Sequence, residues 1–295
     1  MADTPVSLAQ RAAEAAAERS GVEIRVAHGR ADGDAVRGLF DETWPSASEG
    51  TQVTPNLLHA LQHSGSYASL ALDRETGAPV GAALGFPGYS DNVPGRLYLH
   101  SHMAAVRADL RNRRIGTALK LHQRWWAMTQ RIPVISWTFD PLVRRNAFLN
   151  VIRLGVEVRE YHPDFYGEMD DAINAGDRTD RLVAWWVVDS AQAALAAAGD
   201  VHAPDEESLL VVAHVLLTDE GGEPVRGRDP SSDDTVLVAL PDDIVAIRRS
   251  DPDRALRWRL SVREAIQSAY SAGLRVSTVT TKGSYVLSRH REVHP

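Results

Sequence analysis

Ala104-Ala105-Val106-Arg107-Ala108-Asp109-Leu110-Arg111-Asn112-Arg113-Arg114-Ile115-Gly116-Thr117 decides the reading of this chain. The residues before it, Leu97 to Val106, read as a strand. Those after it have helical spacing to about Gln130, and Pro133 stops that helix. A strand that feeds a glycine-containing turn and then a helix makes an anion site. Free N–H groups at the helix start point one way, and the helix dipole favours negative charge there. The turn also holds Arg107, Arg111, Arg113 and Arg114, whose guanidinium groups suit a ligand with several phosphates. On spacing alone, a solvated basic loop is an equally good reading.

Working outward, Val22 to Ala27, Tyr67 to Asp73 and Val80 to Phe86 alternate like strands. Glu75-Thr76-Gly77 joins the last two as a hairpin. Asp34 to Trp44 and Asn56 to Gln62 have helical spacing. Beyond the turn, Val134 to Phe139 is β-rich, and a helix over about Leu142 to Leu154 ends at Gly155. Val156 to Tyr161 and Leu182 to Val188 are further strands. An antiparallel meander followed by strand–helix–strand–helix–strand is an α/β pattern, a mixed central sheet flanked by helices. Ser7 to Arg19 is alanine-rich and reads as a surface helix or a frayed arm. After a composition shift near Ala197 to Asp205, strands are expected at Leu209 to Leu217 and Thr235 to Leu240. A long helix from Pro252 to about Ala272 follows, capped by Asp251 and ended by Gly273. Its stripe of Trp258, Val262, Ile266 and Tyr270 needs a partner surface. The expected organisation is an arm over 1–21, an α/β domain over 22–189, and an α+β C-terminal extension over 190–295 packed on it.

The 295 residues carry a formal charge of -7, with a pI near 5.9, which argues against a general nucleic-acid binder. There is no cysteine, so disulfides, thiolate metal sites and a cysteine nucleophile are excluded. No apolar run is long enough to span a bilayer, and no basic-then-apolar leader is visible. A cytoplasmic protein without a membrane partner is the expectation.

The turn resembles the pyrophosphate motif of the GNAT superfamily of acyltransferases, Gln/Arg-x-x-Gly-x-Gly/Ala after a strand ending in an apolar triplet. Here the triplet is Ala104-Ala105-Val106 and the motif Arg111-Asn112-Arg113-Arg114-Ile115-Gly116. The order of elements from Val22 to Val188 fits that fold too. Arg114 stands where the family has glycine, and its N–H serves phosphate equally well unless the position needs φ > 0. Longer stretches resemble one GNAT subgroup associated with N-acylamino acid racemases, some members of which are D-amino acid N-succinyltransferases. These are Ser101-His102-Met103, Trp137-Thr138-Phe139-Asp140-Pro141-Leu142, Arg145-Asn146-Ala147, Asp164-Phe165-Tyr166-Gly167, Thr179-Asp180-Arg181 and Ala255-Leu256-Arg257-Trp258-Arg259.

The resemblance implies transfer of an acetyl or succinyl group from acetyl-CoA or succinyl-CoA to the primary amine of a small molecule, an amino acid being the best specific acceptor. The cofactor-binding residues it implies are Ala104, Ala105, Val106, Arg111, Asn112, Arg113, Arg114, Ile115, Gly116 and Thr117, with Asn146 on the pantetheine arm. The N–H of Ala104 or Ala105 would polarise the thioester carbonyl. Strand alternation puts His100 and His102 on one face, and histidine titrates near neutrality as a base for an ammonium requires. His100 lies four residues before Ala104, where several family members carry the catalytic glutamate. His102 would orient the carbonyl or the substrate. The family's tyrosine acid corresponds to Val151, so Tyr161 or Tyr166 is the candidate replacement. Arg145 and Arg181 are candidates for substrate carboxylates. Asp140 ends a parallel strand, where ligand crevices occur, or caps the helix that follows.

Two other function classes stay open. The pair His100 and His102 could ligate a metal, given a third ligand, whereas His59 and His63, four apart, read as a surface face. The chain could also be a coenzyme A-binding sensor or scaffold without catalysis. Trp185 and Trp186 face opposite ways, leaving one to border the extension or the partner of a homodimer.

Overall fold

The computed structural model describes residues 3–45, 50–167, 178–230 and 233–289. Along the chain come α1 (Pro5–Arg19), β1 (Val22–Val26), α2 (Gly29–Thr43), α3 (Pro55–His63), β2 (Tyr67–Asp73), β3 (Pro79–Tyr89), β4 (Leu97–Val106), α4 (Ile115–Thr129) and β5 (Val134–Phe139). They are followed by α5 (Arg144–Phe148), β6 (Glu157–His162), β7 (Arg181–Val187), α6 (Ala191–Ala198), α7 (Glu206–Leu209), β8 (His214–Glu220), β9 (Glu223–Arg226), β10 (Thr235–Val238), α8 (Ile244–Ser250), α9 (Pro252–Ser271), β11 (Leu274–Val279) and β12 (Tyr285–Arg289). The chain divides into two compact units.

The first unit takes the chain up to Trp137 together with Trp186–Ala198. Its sheet runs β1-β2-β3-β4-β5. The first four strands pair antiparallel, and β4 pairs parallel with β5, so the sheet is mixed as expected. One face carries α2 and α3 over a core of Val36, Leu39, Phe40, Leu58, Leu70 and Leu84. The other carries α4. A Cβ on Gly85 would come within 2.9 Å of His100 O and 3.2 Å of Gln123 Nε2, so only glycine lets the helix and strand approach this closely. Residues 5–19 are no frayed arm. Thr4 caps the helix, and Ala9, Ala13, Ala16 and Ala17 are buried where α1 packs on α4. Small side chains permit that approach, and α4 is thereby covered on both sides.

The second unit takes Thr138 onward to Trp185, apart from the residues outside the description, and the chain from Gly199. It holds the antiparallel pair β6 and β7, and a sheet in the order β11-β12-β10-β8-β9. The expected stripe on α9 is buried through Trp258, Val262, Ala265, Ile266 and Ala269. The helix expected over Leu142 to Leu154 begins at Arg144 and widens after Phe148 into a π-helical turn, Leu149–Arg153.

These units do not coincide with the 22–189 and 190–295 division expected from composition. Buried ion pairs are the physical reason. Asp140 accepts from Arg259 at 2.8 and 3.0 Å and from Arg248 at 2.5 Å, and Asp180 accepts from Arg263 at 2.5 and 2.9 Å. Tyr285 Oη donates to Pro141 O at 3.0 Å. The residues after Trp137 are thus bound to the C-terminal segment. Removing one member of a buried pair strands the other's charge. Arg259→Met should therefore lower the unfolding free energy by about 3 kcal/mol or more, as read from denaturant melts. A loss below about 1 kcal/mol would assign the stability of this unit to its apolar contacts instead.

Candidate functional site: a cationic helix start and a forked sheet

The turn after β4 is built by backbone geometry. Arg107 N donates to Val80 O at 3.0 Å, and Ala108–Leu110 form a single 3₁₀ turn. Asn112 and Arg114 then take left-handed conformations, with φ of 76° and 62°. Position 114 does require φ > 0, and arginine adopts it here at a cost of roughly 1 kcal/mol. The first intrahelical bond of α4 is Ala118 N to Arg114 O at 3.1 Å. No side chain caps the helix, and its first turn holds no acidic residue. The N–H groups of Ile115, Gly116 and Thr117 therefore lack intrahelical partners. A Cβ on Gly116 would meet nothing within 4 Å, so packing within the chain does not account for this glycine. Arg111, Asn112, Arg113 and Arg114 are all exposed. The four arginines are not equivalent. Arg107 pairs with Asp109 at 2.8 Å and Arg113 lies 3.8 Å from Asp73, whereas no ion pair engages Arg111 or Arg114 among the described residues.

Beside this turn the sheet opens. β4 and β5 are in register only at Leu99↔Ile135 and His100↔Ser136. β4 runs on to Val106, and among the described residues it has no further partner on the β5 side. Its backbone groups past His100 on that edge, up to Ala104 and Ala105, form one wall of a fork, with Trp137 the first residue opposite that lies outside the β4–β5 register.

His100 and His102 do share a face, although not by simple alternation. The β3 pairing jumps from Leu84↔Met103 to Gly85↔Ser101, which makes His102 the extra residue of a bulge. The two rings lie 5.9 Å apart, and Phe86 packs against both at 5.1 and 5.5 Å. Burial lowers the His100 pKa to about 4, helped by His102 and Lys120. His102 is exposed, and the partial desolvation of its ring lowers its pKa as well. The expectation of a histidine titrating near neutrality is corrected accordingly: His100 is neutral and weakly basic at physiological pH. The pair has no third ligand, since no group of three or more metal-binding side chains converges among the described residues.

The structure adds a residue that spacing and motif do not single out. Lys120, on α4, is 7% exposed. Its Nζ donates to Ser101 Oγ at 2.8 Å and lies 3.7 Å from the centre of the Trp137 ring, and burial lowers its pKa to about 7. The available signal was a lysine inside an inward-facing helical stretch, Ala118-Leu119-Lys120-Leu121. Nearby, His122 Nδ1 shares a hydrogen bond with Tyr67 Oη at 2.9 Å, and burial holds its pKa near 4.

The second unit holds the other candidates. Asp140 Oδ1 also accepts from Leu142 N at 2.9 Å, so both its oxygens are engaged. Burial alone would raise its pKa, but the charges of Arg259 and Arg248 hold it well below the carboxylate range. Asp140 is a structural residue: of the two expected readings, crevice ligand or helix cap, its engaged oxygens leave no place for the first. Tyr161 donates to Asp180 at 2.5 Å, and burial, then Asp180, push its pKa up, so it is no proton donor. Tyr166 shares a 2.9 Å hydrogen bond with Thr138 Oγ1, and the Arg181 guanidinium lies 5.2 Å from its ring centre. Arg181 is buried and bonds Asp180 O at 2.9 Å, whereas Arg145 is exposed on α5 beside the half-buried Asn146. An open groove of about 310 Å³ between α2 and α3 is lined by polar residues including Arg30, Arg37 and His59.

No protein-family profile matches the chain, and no curated protein is similar to it. Solved structures with a similar course include ribosomal-protein-S5-alanine acetyltransferase from Vibrio fischeri, with 13% identity, 58% of this chain and 94% of that chain covered, and a TM-score of 0.45. A Desulfovibrio desulfuricans protein assigned to the GNAT acetyltransferases has 18% identity, coverage of 57% and 99%, and a TM-score of 0.43. A Salmonella typhimurium protein assigned as an acetyltransferase, solved with acetyl-CoA, has 16% identity, coverage of 57% and 95%, and a TM-score of 0.44.

Two predictions follow from the geometry. Arg114→Gly relieves the left-handed strain and should raise stability by about 1 kcal/mol. An unchanged or lower melting midpoint would show that the Arg114 side chain contributes more than its backbone costs. His100 and His122 both titrate near 4 in the fold against 6.5 unfolded, so the unfolded chain takes up protons first. Stability should decline as pH falls from about 6.5 towards 4, and His122→Asn should lessen the decline. Identical declines in wild type and variant would remove His122 from the account.

Proposed function

We propose that this chain is an acyl-coenzyme A-dependent N-acyltransferase acting on the primary amine of a small molecule. The specific reading is an amino acid acceptor with acetyl-CoA or succinyl-CoA as donor, and it rests on the subgroup resemblance in the sequence. One observation carries the general reading. Within a single unit, a strand that parts from its parallel neighbour leads directly into an uncapped helix start rimmed by exposed arginines. A long ligand with a diphosphate at one end and an amide-bearing arm fits both features. The N–H groups of Ile115, Gly116 and Thr117 suit the diphosphate, with the side chains of Arg111 and Arg114 beside them. The free edge of β4 suits an arm that hydrogen-bonds like a strand.

Bound acyl-coenzyme A would supply the acyl group as an activated thioester. The chain's own contribution begins with the N–H of Ala104 or Ala105, a preorganised donor to the acyl oxygen worth about 3 kcal/mol of barrier. His100 stays unprotonated and accepts the proton that the amine sheds as its bond to carbon forms. With a pKa near 4 it is too weak to strip a free ammonium, so the acceptor must arrive as the free amine. His102 orients the acceptor. Roles for Asn146, Arg145, Tyr166 and Arg181 rest on the sequence resemblance alone.

Isothermal titration with acetyl-, succinyl- and free coenzyme A should give micromolar dissociation constants. Arg111→Ala should weaken all three about tenfold, as expected for one charge-assisted phosphate contact. Absence of binding to any of them would sink the acyltransferase reading. His100→Ala should lower kcat by on the order of 10²-fold. On its acidic side the wild-type rate should climb with pH as the free-amine fraction of the acceptor grows, without a break near 6.5. Unchanged kcat in a folded His100→Ala protein would remove this histidine from the mechanism.

A further inference from the structure

Helix α4 buries an unusual run of polar side chains, Lys120, His122, Gln123 and Arg124. His122 is satisfied by Tyr67, and Arg124 Nε donates to Val188 O at 2.6 Å. Lys120 is the odd member. Its ammonium contacts Ser101 Oγ, Gln123 Oε1 at 3.5 Å and the face of Trp137, and it has no carboxylate partner among the described residues. A buried, unneutralised ammonium is costly, and a chain that keeps one has a use for it more often than chance.

Its location is specific. His100 and Ser136 are the last residues in register between β4 and β5. The next residue on each strand is Ser101 and Trp137, and Lys120 Nζ touches both. The ammonium therefore stands at the apex of the fork. Of the groups facing it, β4 contributes His100, whose pKa the lysine helps to lower, and α4 contributes Gln123. The contacting β5 residue, Trp137, is uncharged, and the buried face of α1 is alanine.

Aminolysis of a thioester expels a thiolate. We infer that Lys120 is the proton donor to the sulfur that departs when the acyl group is transferred. This rests on the acyltransferase reading above. As the nitrogen–carbon bond forms, the carbon–sulfur bond breaks and its electron pair goes to sulfur. A proton passes from Lys120 Nζ to that sulfur and leaves a thiol and a neutral amine side chain. The acceptor's surplus proton goes to His100 and then to solvent, and Lys120 recovers its proton from solvent. The products are an amide and a thiol, and the protons balance. A thiol titrates at about 8.5, and burial brings Lys120 close to that range, which suits transfer near neutral pH.

The test uses the 295-residue chain, free coenzyme A and Lys120→Met, with Lys120→Gln as a second variant. Removing an unpaired buried charge should not impair folding. Thiolate absorbance of bound coenzyme A is followed against pH. An ammonium beside the sulfur favours thiolate, so the bound thiol should ionise at least one pH unit lower in wild type than in either variant. The variants should bind acetyl-CoA within threefold of wild type, while kcat falls on the order of 10²-fold. Wild-type kcat should fall again on the alkaline side as Lys120 loses its proton, and that limb should be absent in the variants. Equal thiol ionisation in all three proteins, with coenzyme A bound, would overturn the role of Lys120 and leave the acyltransferase reading standing. Failure of wild type to bind coenzyme A would overturn both.

Discussion

The parting of β4 from β5 after a single stretch of parallel register is the constraint on which the candidate site depends. Adjacent strands normally continue pairing because unpaired backbone groups are costly. Here β4 turns away over a bulge at His102, and pairing stops at His100 and Ser136. That one departure has three consequences. It frees an edge of β4 for something strand-like. It brings His100, His102 and Phe86 into one ring cluster. It also opens an apex that the sheet's own atoms leave to Lys120. The helix that carries Lys120 starts with uncapped N–H groups at one end and closes the fork from beneath one turn later, so one element serves both ends of an extended ligand.

The C-terminal half is organised by a different interaction. Asp140 and Asp180 are each held by arginines of the α8–α9 segment, and these pairs are buried. A carboxylate that could have faced a substrate is spent on holding the chain after Trp137 to residues more than a hundred positions away. Such pairs confer geometry more than net stability, because desolvation offsets much of their attraction.

Much of this was legible in the sequence. Period-2 alternation placed the meander and β5, and the Pro and Gly punctuation placed the ends of α4 and α9. The anion-binding turn could be read from composition and order alone. Three features could not. The left-handed backbone at Arg114 is invisible because arginine seldom adopts it, and the residue that would have announced it, glycine, is absent. Lys120 offered only a weak local signal, its place among Ala118, Leu119 and Leu121, because its burial depends on α1 covering the side of α4 that the sheet does not. The histidine pair was found, but its depressed titration depends on burial contributed by neighbouring elements. Asp140 stayed open between crevice ligand and helix cap for a related reason: Arg248 and Arg259 lie 108 and 119 residues away in sequence. The last two strands, β11 and β12, are short and separated by a glycine turn, and they gain their identity only by pairing with each other and with β10.

A crystal structure of the protein with coenzyme A tests the central claim most directly. The account predicts diphosphate oxygens accepting hydrogen bonds from the N–H groups of Ile115, Gly116 and Thr117, an arm lying along β4 beyond His100, and the sulfur within hydrogen-bonding reach of Lys120 Nζ. A diphosphate bound away from the start of α4, or an arm that leaves the β4 edge bare, would contradict it.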